Sequence, residues 1–139
     1  MKVILQDQNQ IIVRLDKGEE FLECFAKFMQ EQNIKACAFS AIGACDSVEL
    51  AYYNQHLKEY RSKPLLQEME VLSLTGNGAM KEGQPFIHAH GVFGSNDFSV
   101  VGGHVMKLSV SPNLEILVTK LEGEMKREKD SASNLFLLS

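Results

Sequence analysis

The chain has 139 residues and a mass of 15.5 kDa, the length of one domain against a prior of about 150 residues each. Its 45% apolar and 23% charged residues are the balance of an ordinary globular protein. Eighteen acids against 14 bases leave −4 and a pI near 5.6, which excludes an obvious basic footprint for nucleic acid or an anionic membrane.

Cys24, Cys37 and Cys45 are odd in number and form no CxxC pair. They read as free thiols of a reducing compartment rather than a disulfide scaffold. The apolar start, Val3-Ile4-Leu5, turns polar at Gln6, too soon for the ~7–15-residue apolar region of a signal peptide. No stretch approaches the roughly 18 consecutive apolar residues of a membrane span. A cytoplasmic location, without membrane contact, is the expectation. Neither a linker nor a repeat divides the chain, so residues 1–139 are expected to form a single domain.

In chain order, residues 3–5 and 11–15 flank a polar turn as a hairpin would. A helix is predicted over about residues 17–32, with Asp16 as N-cap and Glu19 completing a capping box. Phe21, Phe25, Phe28 and Met29 fall on one apolar stripe and Glu19, Glu20, Glu23, Lys27 and Glu31 on the other side. Residues 34–42, 47–53, 67–75, 86–93, 98–106 and 114–121 read as strands, rich in β-branched, aromatic and small apolar residues. Leu114, Ile116 and Val118 alternate with Glu115, Leu117 and Thr119, the period of a sheet packed mainly on one face. Gly76-Asn77-Gly78 reads as a turn, as do the surroundings of Pro64, Pro85 and Pro112. Residues 122–130 mix both charge signs and read as a solvated ribbon, after which Phe136-Leu137-Leu138 needs burial. The predicted fold class is α+β, a largely antiparallel sheet of seven to eight strands with one principal helix.

The chemistry concentrates in Phe86-Ile87-His88-Ala89-His90-Gly91 and Val100-Val101-Gly102-Gly103-His104. His88 and His90 are two apart on a strand, so their imidazoles leave one face. If the loop between the strands is centred on Asn96, His88 lies opposite His104 and His90 opposite Gly102. A one-residue slip would send His104 to the other face. Three neutral imidazoles suit Zn²⁺ or another first-row divalent metal, and three protein ligands leave an open position for a small-molecule ligand. Gly91, Gly102 and Gly103 leave room for a ligand or another backbone to approach closely. His56 reads as a surface residue or a fourth ligand, and Cys37 and Cys45 as buried small residues. Glu68, Glu70 and Glu115 are general bases only if the fold brings one to the metal. A cupin would place a glutamate where this chain has Gly94 and Ser95, so that reading fails.

Ala38-Phe39-Ser40-Ala41-Ile42-Gly43-Ala44, Glu70-Val71-Leu72-Ser73-Leu74-Thr75-Gly76, Pro85-Phe86-Ile87-His88-Ala89-His90 and Val100-Val101-Gly102-Gly103-His104 come in this order along almost the whole chain. In that order they resemble the PPC (plants-and-prokaryotes conserved) domain, in its stand-alone prokaryotic form. The resemblance implies an α+β homotrimer that binds a metal, zinc above all, through positions matching His88, His90 and His104. It also implies predicted DNA binding, since plant members join the domain to AT-hooks. This chain has no Arg-Gly-Arg core and carries Leu66-Gln67-Glu68-Met69 where plant domains begin Gly-Arg-Phe, so DNA is disfavoured as a partner. A trimer whose metal is purely structural is the remaining alternative.

Overall fold

The computed structural model describes residues 1–139, and strands dominate it. In chain order the elements are β1 (Lys2–Gln6), β2 (Gln10–Asp16), α1 (Phe21–Glu31), β3 (Cys37–Asn54), β4 (Glu59–Leu65), β5 (Met69–Lys81), β6 (Gln84–Gly94), β7 (Val100–Lys120), β8 (Arg127–Lys129) and β9 (Phe136–Leu138). One antiparallel sheet runs β1-β2-β7-β6-β5-β3-β4, and β8 pairs with β9 apart from it. Because β7 also pairs with β3, the strands β3, β5, β6 and β7 close a ring. The α+β class with one helix is as expected, and no helix is long and apolar enough to cross a membrane.

Two pairs of predicted strands are single long ones. Residues 34–42 and 47–53 fuse into β3, and residues 98–106 and 114–121 into β7. The polar text between them is absorbed by register shifts at Gly43/Cys45 and Cys45/Ser47, where the strands bend without ending. The turn signalled beside Pro85 is the Glu82-Gly83 turn and that near Pro64 is the bend at Gln67, but the prolines themselves lie in strands, and no turn interrupts β7 at Pro112. Pro64 lies on β4, an edge strand that tolerates a missing N–H, while Pro85 and Pro112 lie within β6 and β7, the Ser111–Pro112 peptide being cis. Strand β4 itself, polar and exposed, carries no apolar alternation and was not predicted.

The helix begins later than its sequence signals imply. Gly18 N–H donates to Val110 O and Val110 N–H to Glu19 O, so residues 17–20 are held against β7 in a non-helical path. The N-cap is Glu20, not Asp16, although Asp16 N–H still donates to Glu19 Oε2 at 2.7 Å as the capping box requires. Glu20 carries two backbone donors, Glu23 N–H at 2.7 Å and Leu108 N–H at 3.0 Å. Glu20→Ala therefore loses a helix cap and leaves a strand amide without its partner. The expected cost is about 1–3 kcal/mol, read as a lower urea midpoint at unchanged slope.

The apolar stripe of α1 is core, as predicted: Phe21, Phe25 and Met29 are fully buried. Phe25 stacks near Phe21 at 5.7 Å and Phe39 of β3 at 4.9 Å between ring centres. Leu114, Ile116 and Val118 are fully buried opposite this layer. Each buried aromatic of this kind contributes a few kcal/mol, about 3–5 on truncation to alanine. The helix packs directly on β6 and β7, the strands that carry the histidines, and on Phe39 of β3.

Candidate metal centre

Strand β6 meets β7 through five residue pairs, from His90 opposite His104 to Gly94 opposite Val100. The expected pairing of His88 with His104 is thus off by two residues. The cause is the loop: Asp97 Oδ1 accepts Ser99 N–H at 3.0 Å and its hydroxyl at 2.6 Å, and Phe98 turns at φ 64, which centres the connection on Asp97 rather than Asn96. A shift of two preserves the face. His88, His90 and His104 still project together, with ring centres 5.1, 5.1 and 5.3 Å apart.

One nitrogen from each imidazole lies within 4.8 Å of the others. A tetrahedral ion at about 2.0–2.1 Å from each nitrogen needs them roughly 3.3 Å apart, so the rings would draw inward by small side-chain rotations. Nδ1 of His104 is buried with no hydrogen-bond partner, a state that costs free energy unless something binds it. Burial, with the neighbouring His88 and His90, pushes the His104 pKa down to about 4. Burial and Arg127 lower that of His88 as well. Both imidazoles are therefore neutral at pH 7, the form that ligates a metal. By donor set, protonation state and orphaned nitrogen, the residues fit a divalent ion.

The structure adds a residue that the sequence reading passed over. Arg127, read as part of a solvated ribbon, is only 7% exposed. The chain after β7 folds back so that Met80 N–H donates to Met125 O, and β8 docks beside the end of β5. Arg127 then donates to Asn77 Oδ1 and Phe136 O, each at 2.8 Å, and its Nη2 faces His88 Nδ1 at 3.4 Å. A guanidinium has no acceptor, so the nitrogen of His88 that faces it carries the lone pair. The signal that could have pointed here is Phe136-Leu137-Leu138: burying any of it required the tail to return to the domain. Phe136 is half-buried, whereas Leu137 and Leu138 remain about half exposed.

His88, His104, Arg127, Tyr60, Lys81 and Phe86 share the walls of a cavity of about 360 Å³. The Tyr60 ring lies 5.2 Å from that of His104. Other candidates fall elsewhere. His56 is exposed in the turn after β3 and is outside the three-histidine group. Glu68 and Glu70 line a separate groove of about 610 Å³ with Phe98, and none of Glu68, Glu70 or Glu115 joins the histidines. Cys37 and Cys45 are buried free thiols whose pKa burial raises to about 11, and Cys24 is half-buried. The close approach expected beside the glycines is made by the protein itself, by backbone at Gly102 and Gly103 and by a side chain at Gly91. A Cβ on Gly91 would meet the Phe93 ring at 2.6 Å, and one on Gly102 would meet Gly91 O at 2.8 Å.

A metal-containing protein from Archaeoglobus fulgidus is 37% identical, with a TM-score of 0.89 over 100% of this chain and 99% of that one. A plant- and prokaryote-conserved (PPC) protein from Pyrococcus horikoshii is 30% identical, with a TM-score of 0.89 over 100% and 97%. A protein from Bacteroides thetaiotaomicron, named as a candidate DNA-binding protein, shares the fold at 24% identity and a TM-score of 0.93 over 97% and 94%. Comparison with curated proteins returns no match. The model of the Plants and Prokaryotes Conserved (PCC) domain matches residues 4–122, and the chain belongs to that family.

Proposed function

We propose that this chain is a metal-binding protein in which His88, His90 and His104 hold zinc or another first-row divalent ion, with one position left for a small ligand. The observation that carries the reading is the convergence of three imidazole nitrogens within 4.8 Å, one residue of the three having a buried, unpartnered Nδ1. The 37% identity to a metal-containing protein supports it. Such an ion, when bound, supplies Lewis acidity at its open position. The chain's own residues do the rest: β6 and β7 hold His90 and His104 in register, Asn77 and Phe136 hold Arg127 beside His88, and burial keeps His104 neutral.

The protein is further proposed to assemble as a homotrimer, as the family resemblance implies. Ile12 and Leu117, directly paired across β2 and β7, are 38% and 39% exposed, and Ile42 is 60% exposed. Contact between copies would remove such apolar area from water. DNA binding is the weaker reading, because a trimer of chains at −4 carries −12 and would meet phosphates with net repulsion.

Protein purified without a histidine tag is expected to carry close to one divalent ion per chain by elemental analysis, at three chains per particle by light scattering. His88→Ala should lower the metal content at least tenfold. Less than half an equivalent in the wild type, unchanged in the variant, would sink the metal reading.

A further inference from the structure

Arg127 poses an electrostatic problem that the protein itself does not solve. Its guanidinium is permanently charged and nearly buried, yet every acceptor that faces it, Asn77 Oδ1, Phe136 O and the more distant His88 Nδ1, is neutral. Its Nε is buried without a partner. The ion pairs of the chain involve the N-terminus, Lys2, Arg14 and Lys27, so no carboxylate lies within 4.0 Å of Arg127 or of Lys81. Buried charges are ordinarily paired, because an unpaired one forfeits its hydration.

Lys81 brings a second positive charge to the same cavity. Its Nζ lies 3.7 Å from the Phe136 ring centre and 5.4 Å from that of Phe86, and Arg127 Cζ lies 5.4 Å from the same Phe86 ring. The two aromatic rings thus fix two cations on the cavity wall, which no Asp or Glu lines. A divalent ion on three neutral imidazoles would add two more positive charges. Arg127 also competes with such an ion, since its Nη2 faces the lone pair of His88 Nδ1. An anion placed between the guanidinium and the histidines removes both difficulties at once.

We infer that the cavity binds a small organic carboxylate, its charged end between Arg127, Lys81 and the histidine cluster and its apolar part against Phe86, Phe136 and Leu135. The histidine end of this inference rests on the metal reading above; the cationic end rests on Arg127 and Lys81 alone. The volume of about 360 Å³ is that of a small-ligand site. Carboxylate fits better than phosphate, because two of the guanidinium nitrogens are already engaged and the surrounding wall is aromatic and aliphatic rather than rich in N–H donors.

The test is calorimetric titration of the full-length, metal-analysed protein with acetate, isobutyrate and benzoate, with their neutral amides, and with inorganic phosphate. Affinity should rise along the carboxylates with apolar size, and each amide should bind at least tenfold more weakly. Lys81→Gln, at a half-buried position, should weaken benzoate about tenfold while keeping the metal content, and Arg127→Gln should weaken it further. Benzoate binding that survives chelation, but still falls in Lys81→Gln, supports the anion site while removing the metal from it. A chain that carries one metal ion but binds no carboxylate, binds the amides equally, or prefers phosphate overturns the inference and leaves the metal reading standing.

Discussion

Gly76→Ala should destabilise the protein by more than about 3 kcal/mol and dismantle the histidine cluster, although residue 76 touches none of the imidazoles as a ligand. Gly76 sits in β5 opposite Ala89 of β6, between the two histidines of that strand. A Cβ there would lie 2.0 Å from the backbone oxygen of His88, 2.7 Å from Phe39 Cζ and 3.0 Å from Ala89 Cα. Two of these obstacles are backbone, so no rotamer change relieves them. The strands must part where they carry His88 and His90, and overpacking that moves backbone costs about 1–3 kcal/mol or more. The loss should show as a fall of roughly 10 °C in thermal midpoint, with metal content below half that of the wild type.

Gly83→Ala supplies the contrast. Gly83 turns at φ 78 between β5 and β6 with no atom near its missing Cβ, so alanine there costs only backbone strain, of order 1 kcal/mol. If the two variants unfold alike, close approach at Gly76 is not what positions the cluster.

The same glycine shows where the sequence misleads. Gly76-Asn77-Gly78 carries a local turn signal, yet all three residues are strand. Their small size answers to neighbours far away in sequence: Phe39 and the His88 carbonyl at Gly76, Met29 Sδ at Gly78. Propensity sees only the local half of that argument. The alternation at Leu114, Ile116 and Val118 was readable because one face is wholly buried and Glu115 is exposed, which is a periodic and therefore local property. The helix stripe was readable for the same reason, whereas its start was not, because β7 holds residues 18 and 19 by backbone bonds.

The histidine site divides similarly. That His88, His90 and His104 share a face follows from parity, and parity survives an error of two residues in the register. The register itself depended on which side chain closes the loop, Asp97 rather than Asn96, a choice that composition does not make. Arg127 was invisible because its alternating charged neighbours imitate a solvated ribbon, while its partner Asn77 lies 50 residues earlier. Only the tertiary return of the tail turns that arginine inward.

Metal-free protein should lose about 2 kcal/mol of stability as the pH falls from 7 to 5, and His104 should account for most of it. The folded-state pKa of His104 is pushed down to about 4 by burial first and by His88, His90 and Arg127 after it. In the unfolded chain the imidazole returns to about 6.5. The unfolded state therefore binds the proton first, so stability is full above pH 6.5 and drains away as the pH falls towards 4. Ordinary carboxyls begin to contribute only near pH 4, and Asp97, held lower still by its hydrogen bonds from Ser99, later than that. The interval from pH 7 to 5 thus isolates the histidines. Urea unfolding of chelator-treated protein across this range should show the loss in the wild type, and His104→Gln should flatten it to less than half. Loading with Zn²⁺ should raise stability at pH 7 and steepen the slope, because protons and metal compete for the same three nitrogens. Equal slopes in wild type and His104→Gln would mean that His104 is not the buried neutral base its surroundings require, and that the orphaned Nδ1 is relieved by something other than a metal ion.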